Sequence, residues 1–315
     1  MWAPASTQTH PFLFTEGNLG VPRKALSQAY MVAVRAYFEL RNESRKSVPS
    51  LWHSTALDRL TRVVLLANPA HQTALNSRKK LVQTAVVEPH WELHFSSSLL
   101  SCRECAKESI LWHHRRWLLN VIHKTSSTSD TDNIPETVPH RALEAELVSV
   151  STACHLYPRN YHAWTHRRLC VEALITSPHP GAPPNSDALA EEYQKTLKWI
   201  ESHVSDYSAM NHAIHLEKML AGEKPCLSTS AHATSLLRSY PDHESLWIYL
   251  RGSETDRDEK ESVMSMKEAP SARGFFLRHI VWRKVSVSAF PATPAVNCLK
   301  KQTKAGRRGP AQAVT

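Results

Sequence analysis

The sequence predicts an all-α protein, an α-solenoid in which antiparallel helical hairpins stack into a right-handed superhelical crescent. Three observations predict this fold class. The chain contains only 8 glycines against 19 prolines, which argues against an all-β fold and against glycine-rich phosphate loops. Apolar residues recur at helical spacing. A motif built around tryptophan and arginine recurs five times. With 315 residues, 42% of them hydrophobic, the chain can bury a sizeable core.

The ends of the chain are predicted to flank the array. In the N-terminal segment, residues 1–50, the stretch "ALSQAYMVAVRAYFELR" predicts one helix. In the C-terminal region, residues 252–298, "SARGFFLRHIVWRKV" predicts another. Residues 299–315 are predicted to form a basic, disordered tail.

The recurring motif is clearest in "YPRNYHAWTHRRLC", where Trp164 follows Pro158 by six residues and Arg167 follows it by nine. The same register gives five positions expected to fill the space between helices: Leu75, Trp112, Trp164, Met210 and Trp247. It also gives three arginines expected to tie one hairpin to the next: Arg78, Arg115 and Arg167. The five repeats are predicted at about residues 51–86, 92–123, 140–176, 187–221 and 230–251.

Each repeat is predicted to be a helical hairpin. Ahead of Pro158, the residues Leu143, Leu147, Val150 and Cys154 form one apolar face of an amphipathic helix. The proline interrupts that helix, and Asn160 is a suitable N-cap for the next one. On the second helix, Tyr161, Trp164 and Arg167 are predicted to share a face. The segments "KTSSTSDTDNIPETVP" and "SPHPGAPPNSD" are predicted to be loop insertions.

The fourth repeat departs from the motif. In "SDYSAMNHAIHL", Tyr207 matches Tyr161, but Met210 and Ala213 stand in the tryptophan and arginine places. We therefore expect this layer to pack differently from the others.

Charge and segment patterns narrow the functional classes. The net charge of +9 is partly due to the tail. The helical segments mix both signs, so a solvated surface is expected rather than a nucleic-acid site. The sequence contains neither a secretory signal pattern nor an apolar run long enough to span a bilayer. The six cysteines are scattered, which is typical of reduced thiols. We predict a cytoplasmic protein with no transmembrane segment.

A metal site is not expected in this chain. Cys102 and Cys105 in "SCRECAKE" could be half of one, with His90, His94, His113 and His114 nearby. However, a structural zinc site usually shows a second ligand pair at matching spacing, and none is found. The sequence also contains no nucleophile–base or paired-carboxylate arrangement, so no catalytic residue is predicted.

Three segments, "NYHAWTHRR", "ILWHHRRW" and "HESLWIYLR", resemble the protein prenyltransferase alpha-subunit repeat. Within that family the sequence is most similar to the prenyltransferase alpha-subunit repeat-containing protein 1 branch. The resemblance implies a crescent wrapped around a separate beta subunit. That subunit is an α/α barrel holding the catalytic zinc and the isoprenoid pocket. The alpha chain supports it and lends residues to the mouth of the active site.

The resemblance also implies a site. The family's active-site lysine lies next to the asparagine of "NYHAW", and Arg159 stands there in this sequence. Arginine keeps the positive charge but cannot act as a titratable lysine. The candidates for contact with diphosphate or with the partner are therefore Arg159, Asn160, Tyr161 and His162. The alternative for these residues is turn and cap chemistry alone.

The functional prediction is a supporting, non-catalytic alpha subunit of a protein prenyltransferase, most simply a geranylgeranyltransferase. Its partners would be a beta subunit, an isoprenyl diphosphate at the interface and a protein substrate with a C-terminal cysteine. The alternative is an α-solenoid interaction scaffold without transferase activity. The intact third repeat favours the alpha-subunit function, whereas the degenerate fourth repeat and the arginine at position 159 favour the scaffold.

Overall fold

The structure, a computed structural model, describes residues 13–16, 18–43, 50–123, 133–176, 185–220, 228–253, 274–275 and 277–281. The tail at 299–315, most of the two loop insertions and most of the C-terminal region lie outside these residues.

The described part of the chain is helical apart from one small ribbon, which confirms the all-α class. Strands β1 (Leu13–Thr15) and β2 (Asn18–Gly20) pair antiparallel, with Leu13 opposite Gly20. This ribbon was not predicted, because a strand of three residues is too short to show a period of two. Helix α1 (Arg23–Glu43) follows it and contains the stretch "ALSQAYMVAVRAYFELR".

Five helical hairpins follow α1 in chain order. The second hairpin carries an extra short helix between its two long ones. The helices are α2 (Leu51–Ala67) and α3 (Gln72–Gln83); α4 (Pro89–Leu100), α5 (Arg103–Ala106) and α6 (Ser109–His123); α7 (His140–Leu156) and α8 (Tyr161–Thr176); α9 (Asn185–Ser202) and α10 (Tyr207–Met219); α11 (Thr229–Ser239) and α12 (Glu244–Gly252). Beyond them, residues 274–275 and 277–281 are helical and His279 packs on Trp247. The right-handed sense of the superhelix stays a prediction.

The connection between the two helices of a hairpin is short and capped. A proline begins the break at the same place in three hairpins, at Pro69, Pro158 and Pro241. Before α3, α8 and α10, the side chain just ahead of the second helix accepts a hydrogen bond from its first turn, whereas His243 before α12 does not. Asn160 Oδ1 accepts from the Ala163 amide at 3.1 Å, and Asp206 Oδ1 accepts from the Ser208 and Ala209 amides. Short capped connections set the two helices antiparallel.

The core lies between the two rows of helices. All five tryptophan-equivalent side chains are buried, with exposed fractions between 0% and 5%: Leu75, Trp112, Trp164, Met210 and Trp247. Tyr161, predicted to share the face of Trp164 and Arg167, is 60% exposed, whereas the other two are buried. It lies in the first turn of α8, at the end of the helix, where the neighbouring hairpins do not cover it.

Truncating a core indole should destabilise the array. We expect Trp164→Ala to lower the free energy of unfolding by about 3–5 kcal/mol, because it removes a large buried side chain and leaves a cavity. Urea unfolding followed by circular dichroism measures the change. The matched control is Trp52→Ala, because Trp52 is 69% exposed and its loss should cost less than about 0.5 kcal/mol. Equal costs for the two variants would contradict the assignment of Trp164 to the core.

Candidate functional site

A buried carboxylate joins neighbouring hairpins at the first three junctions. It stands on the first helix of one hairpin, between an arginine of the preceding hairpin and a histidine of its own. At the third junction, Arg167 Nε donates to Glu192 Oε1 at 2.6 Å and Arg167 Nη2 donates to Oε2 at 2.8 Å. His212 Nε2 lies 3.2 Å from Oε1. The three junction triads are Arg78, Glu92 and His114; Arg115, Glu146 and His166; Arg167, Glu192 and His212.

The carboxylates of the junction triads are ionised. Burial alone would raise the pKa of Glu92, Glu146 and Glu192, but the arginine and histidine contacts outweigh it and hold each pKa at about 2. The ion pair is bidentate, the stronger geometry for arginine and carboxylate.

The histidines of the junction triads are neutral. Burial lowers the pKa of His114, His166 and His212, and the adjacent carboxylate only partly offsets this effect. The second ring nitrogen of each, Nδ1, is buried without a hydrogen-bond partner among the described residues. Protonation would place a donor there with no acceptor, which costs free energy.

Among the described residues the fourth junction contains no such triad, and its layer does pack differently. Ala213 stands in the arginine place. Thr229 precedes Trp247 by the same separation that places Glu146 before Trp164, and Tyr249 stands in the histidine place. All three are buried. The carboxylate at this junction is that of Glu217, on the fourth hairpin, and it accepts hydrogen bonds from the amide and the hydroxyl of Thr229. Hydrogen bonds to a carboxylate thus stand where the other junctions have a bidentate arginine pair.

The sequence predicted only one member of each junction triad. The repeat register identified Arg78, Arg115 and Arg167, but it did not identify the glutamates and histidines of the triads. A signal was present, because His114, His166 and His212 each follow the tryptophan-equivalent residue by two positions.

The junction triads should make the protein sensitive to acid. Each histidine has a folded-state pKa below its usual 6.5, so the unfolded chain binds protons first and stability falls as the pH drops below about 6.5. Each glutamate has a folded-state pKa of about 2 against a usual 4.5, so a second loss begins below about pH 4.5. Urea unfolding at a series of pH values measures both effects.

The matched control for this pH dependence is His166→Gln, which keeps a hydrogen-bond donor but does not titrate. We expect its stability to fall less steeply with decreasing pH between 6.5 and 5 than that of the unchanged chain. A parallel loss in the two proteins would show that His166 does not contribute.

Asn160 is the one member of the candidate cluster that the structure removes from the surface. It is 2% exposed. Its Nδ2 donates to the Ala106 carbonyl at 2.7 Å, and Trp112 Nε1 donates to the same carbonyl at 2.8 Å. Asn160 is therefore a cap and an anchor to the second hairpin, and its prediction as a diphosphate contact is wrong. Both polar atoms of the Asn160 side chain are hydrogen-bonded to backbone groups of the chain.

The other three members reach the surface at the start of α8. Arg159 is exposed and has a φ of 62°, in the left-handed region that side chains other than glycine rarely adopt. Tyr161 is 60% exposed. His162 is partly buried, and its pKa is lowered first by burial and then by the charges of Arg116 and His113. Together Arg159, Tyr161 and His162 form what we call the α8 edge.

A hollow of about 260 Å³ lies beside the α8 edge, between the second helices of the third and fourth hairpins. Tyr161 and the half-exposed Tyr207 flank it, and Arg168 and Asn211 also line it. Enclosed ligand sites generally measure about 300–1,000 Å³. The hollow can therefore take a side chain or a small anionic group from a partner, but it is not a pocket for a complete substrate.

A larger groove lies elsewhere. It has a volume of about 870 Å³ and lies between α7, α8 and α9, with apolar side chains such as Leu147, Val171 and Leu174 in its lining. Charged pairs line it as well, among them His140 with Glu144 at 3.5 Å. We place the candidate site at the α8 edge because an exposed arginine, a left-handed backbone and the start of a long helix coincide there.

Two further features bear on partners. Within the described ranges, there is no cluster of three or more histidine, cysteine or acidic side chains that could hold a metal ion. Of the helices that the structure describes, none combines the length and the apolar character needed to cross a membrane.

Comparison with known proteins identifies the repeat. Residues 143–174 and 189–217 match the protein prenyltransferase alpha subunit repeat. The chain is 30% identical over 237 residues to protein prenyltransferase alpha subunit repeat-containing protein 1 of Danio rerio, covering 62% of this chain and 54% of the relative. It is 28% identical over 237 residues to the Homo sapiens protein of that name, covering 61% and 57%.

A more distant relative is an alpha subunit by name. The chain is 21% identical over 201 residues to geranylgeranyl transferase type-2 subunit alpha of Saccharomyces cerevisiae, covering 61% of this chain and 56% of the relative. The chain spans about half the length of the curated relatives it matches. The chain therefore carries two segments similar to the prenyltransferase alpha subunit repeat, and over about three fifths of its length it resembles the repeat-containing protein 1 group.

Proposed function

We propose that this chain is the supporting, non-catalytic alpha subunit of a cytoplasmic protein prenyltransferase. A separate beta subunit would hold the catalytic zinc and the isoprenoid pocket. The pair would transfer an isoprenyl group, most simply geranylgeranyl, to a C-terminal cysteine of a protein substrate. The observation that carries the proposal is the exposed, strained Arg159 at the start of α8.

The backbone of Arg159 supports a functional role. A left-handed conformation costs a residue other than glycine roughly 1–2 kcal/mol. Such strain persists where the surrounding structure imposes it, and it is concentrated at functional sites. Here the buried Asn160 imposes it, because its side chain is bonded to Ala106 on one side and to the first turn of α8 on the other. Arg159 is thereby presented at the surface by a constrained backbone.

The charge of Arg159 suits an anionic ligand. The first turn of a helix presents backbone amides and the positive end of the helix dipole, which favours phosphate groups. A guanidinium adds a formal charge and can bind two phosphate oxygens at once. If the beta subunit covers this edge, Arg159 can stabilise the diphosphate that leaves as the thioether bond forms.

The neighbouring aromatic side chains suit a protein partner. Tyr161 and Tyr207 are 60% and 52% exposed on either side of the hollow. Tyrosine and arginine are the residues that most often dominate binding energy at protein interfaces. The α8 edge therefore combines a contact for a beta subunit with a contact for its diphosphate.

Removing the charge should slow transfer and leave the complex assembled. The test is single-turnover isoprenyl transfer by the chain reconstituted with a prenyltransferase beta subunit. We expect Arg159→Asn to slow transfer by about 30- to 1,000-fold, since one preorganised charged contact contributes about 2–4 kcal/mol. Asparagine tolerates left-handed φ, so this variant should be at least as stable as the unchanged chain. Arg159→Lys, which keeps the charge, should retain most of the rate.

If the complex containing Arg159→Asn transfers the isoprenyl group at an unchanged rate, Arg159 does not act on the diphosphate and the α8 edge serves only as a helix cap. Failure of the chain to bind any prenyltransferase beta subunit would favour the second candidate, an interaction scaffold without transferase activity. The fourth junction supports this scaffold, because Ala213 and Thr229 stand where the other junctions have arginine and glutamate.

Binding of the beta subunit should depend on the two exposed tyrosines. We expect the double variant Tyr161→Ala, Tyr207→Ala to weaken the complex at least about tenfold, because it removes two candidate aromatic anchors. Titration calorimetry or surface plasmon resonance measures the dissociation constant. The matched control is Trp91→Ala, since Trp91 is also half exposed but lies on a first helix, in the other row. Equal weakening by both would contradict docking at the α8 edge.

A further inference from the structure

Two cysteines that the proposed function does not use lie close together in the second hairpin. Cys102 immediately precedes the short helix α5, and Cys105 lies within it. The carbonyl of Cys102 accepts hydrogen bonds from the amides of Cys105, at 3.1 Å, and Ala106, at 2.9 Å. A turn closed in this way keeps its first and last α-carbons within about 7 Å of each other, close to the range in which a disulfide can form.

The two thiols have complementary environments. Cys102 is partly exposed, whereas Cys105 is 1% exposed and belongs to the main core. A hydrogen bond from the Cys105 thiol lowers the pKa of Cys102 to about 7, against an opposing effect of burial. The same hydrogen bond and burial raise the pKa of Cys105. The pair therefore offers an accessible thiolate beside a protected thiol, as in redox-active Cys-x-x-Cys sequences.

Two other described cysteines provide a contrast. Cys154 and Cys170 are fully buried, and burial raises the pKa of both, that of Cys154 to about 12. Buried thiols of this kind are unreactive. Reactivity is therefore expected at Cys102 and not at either of these positions.

We propose that Cys102 and Cys105 are a reversible disulfide-forming pair, oxidised by a small-molecule disulfide such as glutathione disulfide. The Cys102 thiolate attacks one sulfur of glutathione disulfide, and one glutathione thiolate leaves. The Cys105 thiol then loses its proton and attacks the Cys102 sulfur of the mixed disulfide, releasing the second glutathione. Two protein thiols are oxidised to one disulfide and one glutathione disulfide is reduced to two glutathiones, so the exchange is balanced.

The position of the pair gives its oxidation a structural consequence. The next residue, Ala106, supplies the carbonyl that receives both Trp112 and Asn160. Arg103, between the two cysteines, lies over the ring of Tyr157 at 6.0 Å. A disulfide would tighten this turn and change its contacts with the connection between α7 and α8. The redox state of the pair would thereby alter the contacts at the start of α8, whether or not the chain is part of a transferase.

The test equilibrates the full chain in glutathione buffers of defined ratio, blocks free thiols and digests with trypsin without reduction. Trypsin cleaves after Arg103, between the two cysteines, so the disulfide would link the peptide 81–103 to the peptide 104–107. We expect the linked pair to grow with the proportion of glutathione disulfide and to disappear on reduction. Cys154→Ser is the matched control and should leave the linked pair unchanged.

Single variants separate the two steps. Cys105→Ser should stop the reaction at a mixed disulfide between glutathione and Cys102, and Cys102→Ser should leave Cys105 unmodified. Free thiols at both positions in a buffer rich in glutathione disulfide would overturn the proposal. So would a mixed disulfide at Cys102 that persists in the unchanged chain.

Amide hydrogen exchange over residues 157–164 tests the coupling to α8. We expect this exchange to accelerate at least about threefold on oxidation. Equal exchange in both redox states would overturn the coupling to α8.

Discussion

A buried carboxylate held between an arginine of one hairpin and a histidine of the next is the interaction on which the array depends. A single hairpin cannot cover its own apolar faces, so each layer is stable only against its neighbours. Tryptophan and leucine side chains are among the largest buried groups, but apolar contact is non-directional and would allow the layers to slide. The bidentate pair of Arg115 with Glu146, completed by His166, fixes the register because it forms in only one relative position.

The sequence predicted the parts of the fold that follow from local rules. Proline followed by a capping residue located the connection before α8, and the spacing of Leu143, Leu147 and Val150 located the buried face of α7. What it missed depends on contacts between distant residues. Glu146 is one of many surface-type residues in the sequence, and only the fold brings it to Arg115, thirty-one positions away. The ribbon formed by β1 and β2 was not predicted, because three-residue strands are too short to show an alternating pattern.

The structure divides the four residues of the predicted site into one buried residue and three that reach the surface. Four consecutive residues appeared to form one cluster, yet helix geometry turns Asn160 inward and leaves Arg159 and Tyr161 outside. Sequence reasoning could propose Asn160 as a cap, but it could not show that the same side chain also reaches Ala106. The left-handed backbone of Arg159 was equally invisible, because arginine has no preference for that conformation. The buried Asn160 therefore anchors the backbone at the start of α8, whereas Arg159 and Tyr161 supply its exposed side chains.

The fourth junction differs in its chemistry from the three before it. In a linear stack, stability is approximately a sum of terms for single repeats and for adjacent pairs. Three of the four pair terms here contain a triad of arginine, glutamate and histidine. At the last, Thr229 stands in the glutamate place and is bonded to Glu217 of the preceding hairpin. The final hairpin nevertheless carries the buried His232, whose pKa burial lowers as it does for the triad histidines. Sensitivity to acid is therefore spread along the whole array, through triads in the first three pairs and through His232 in the last hairpin.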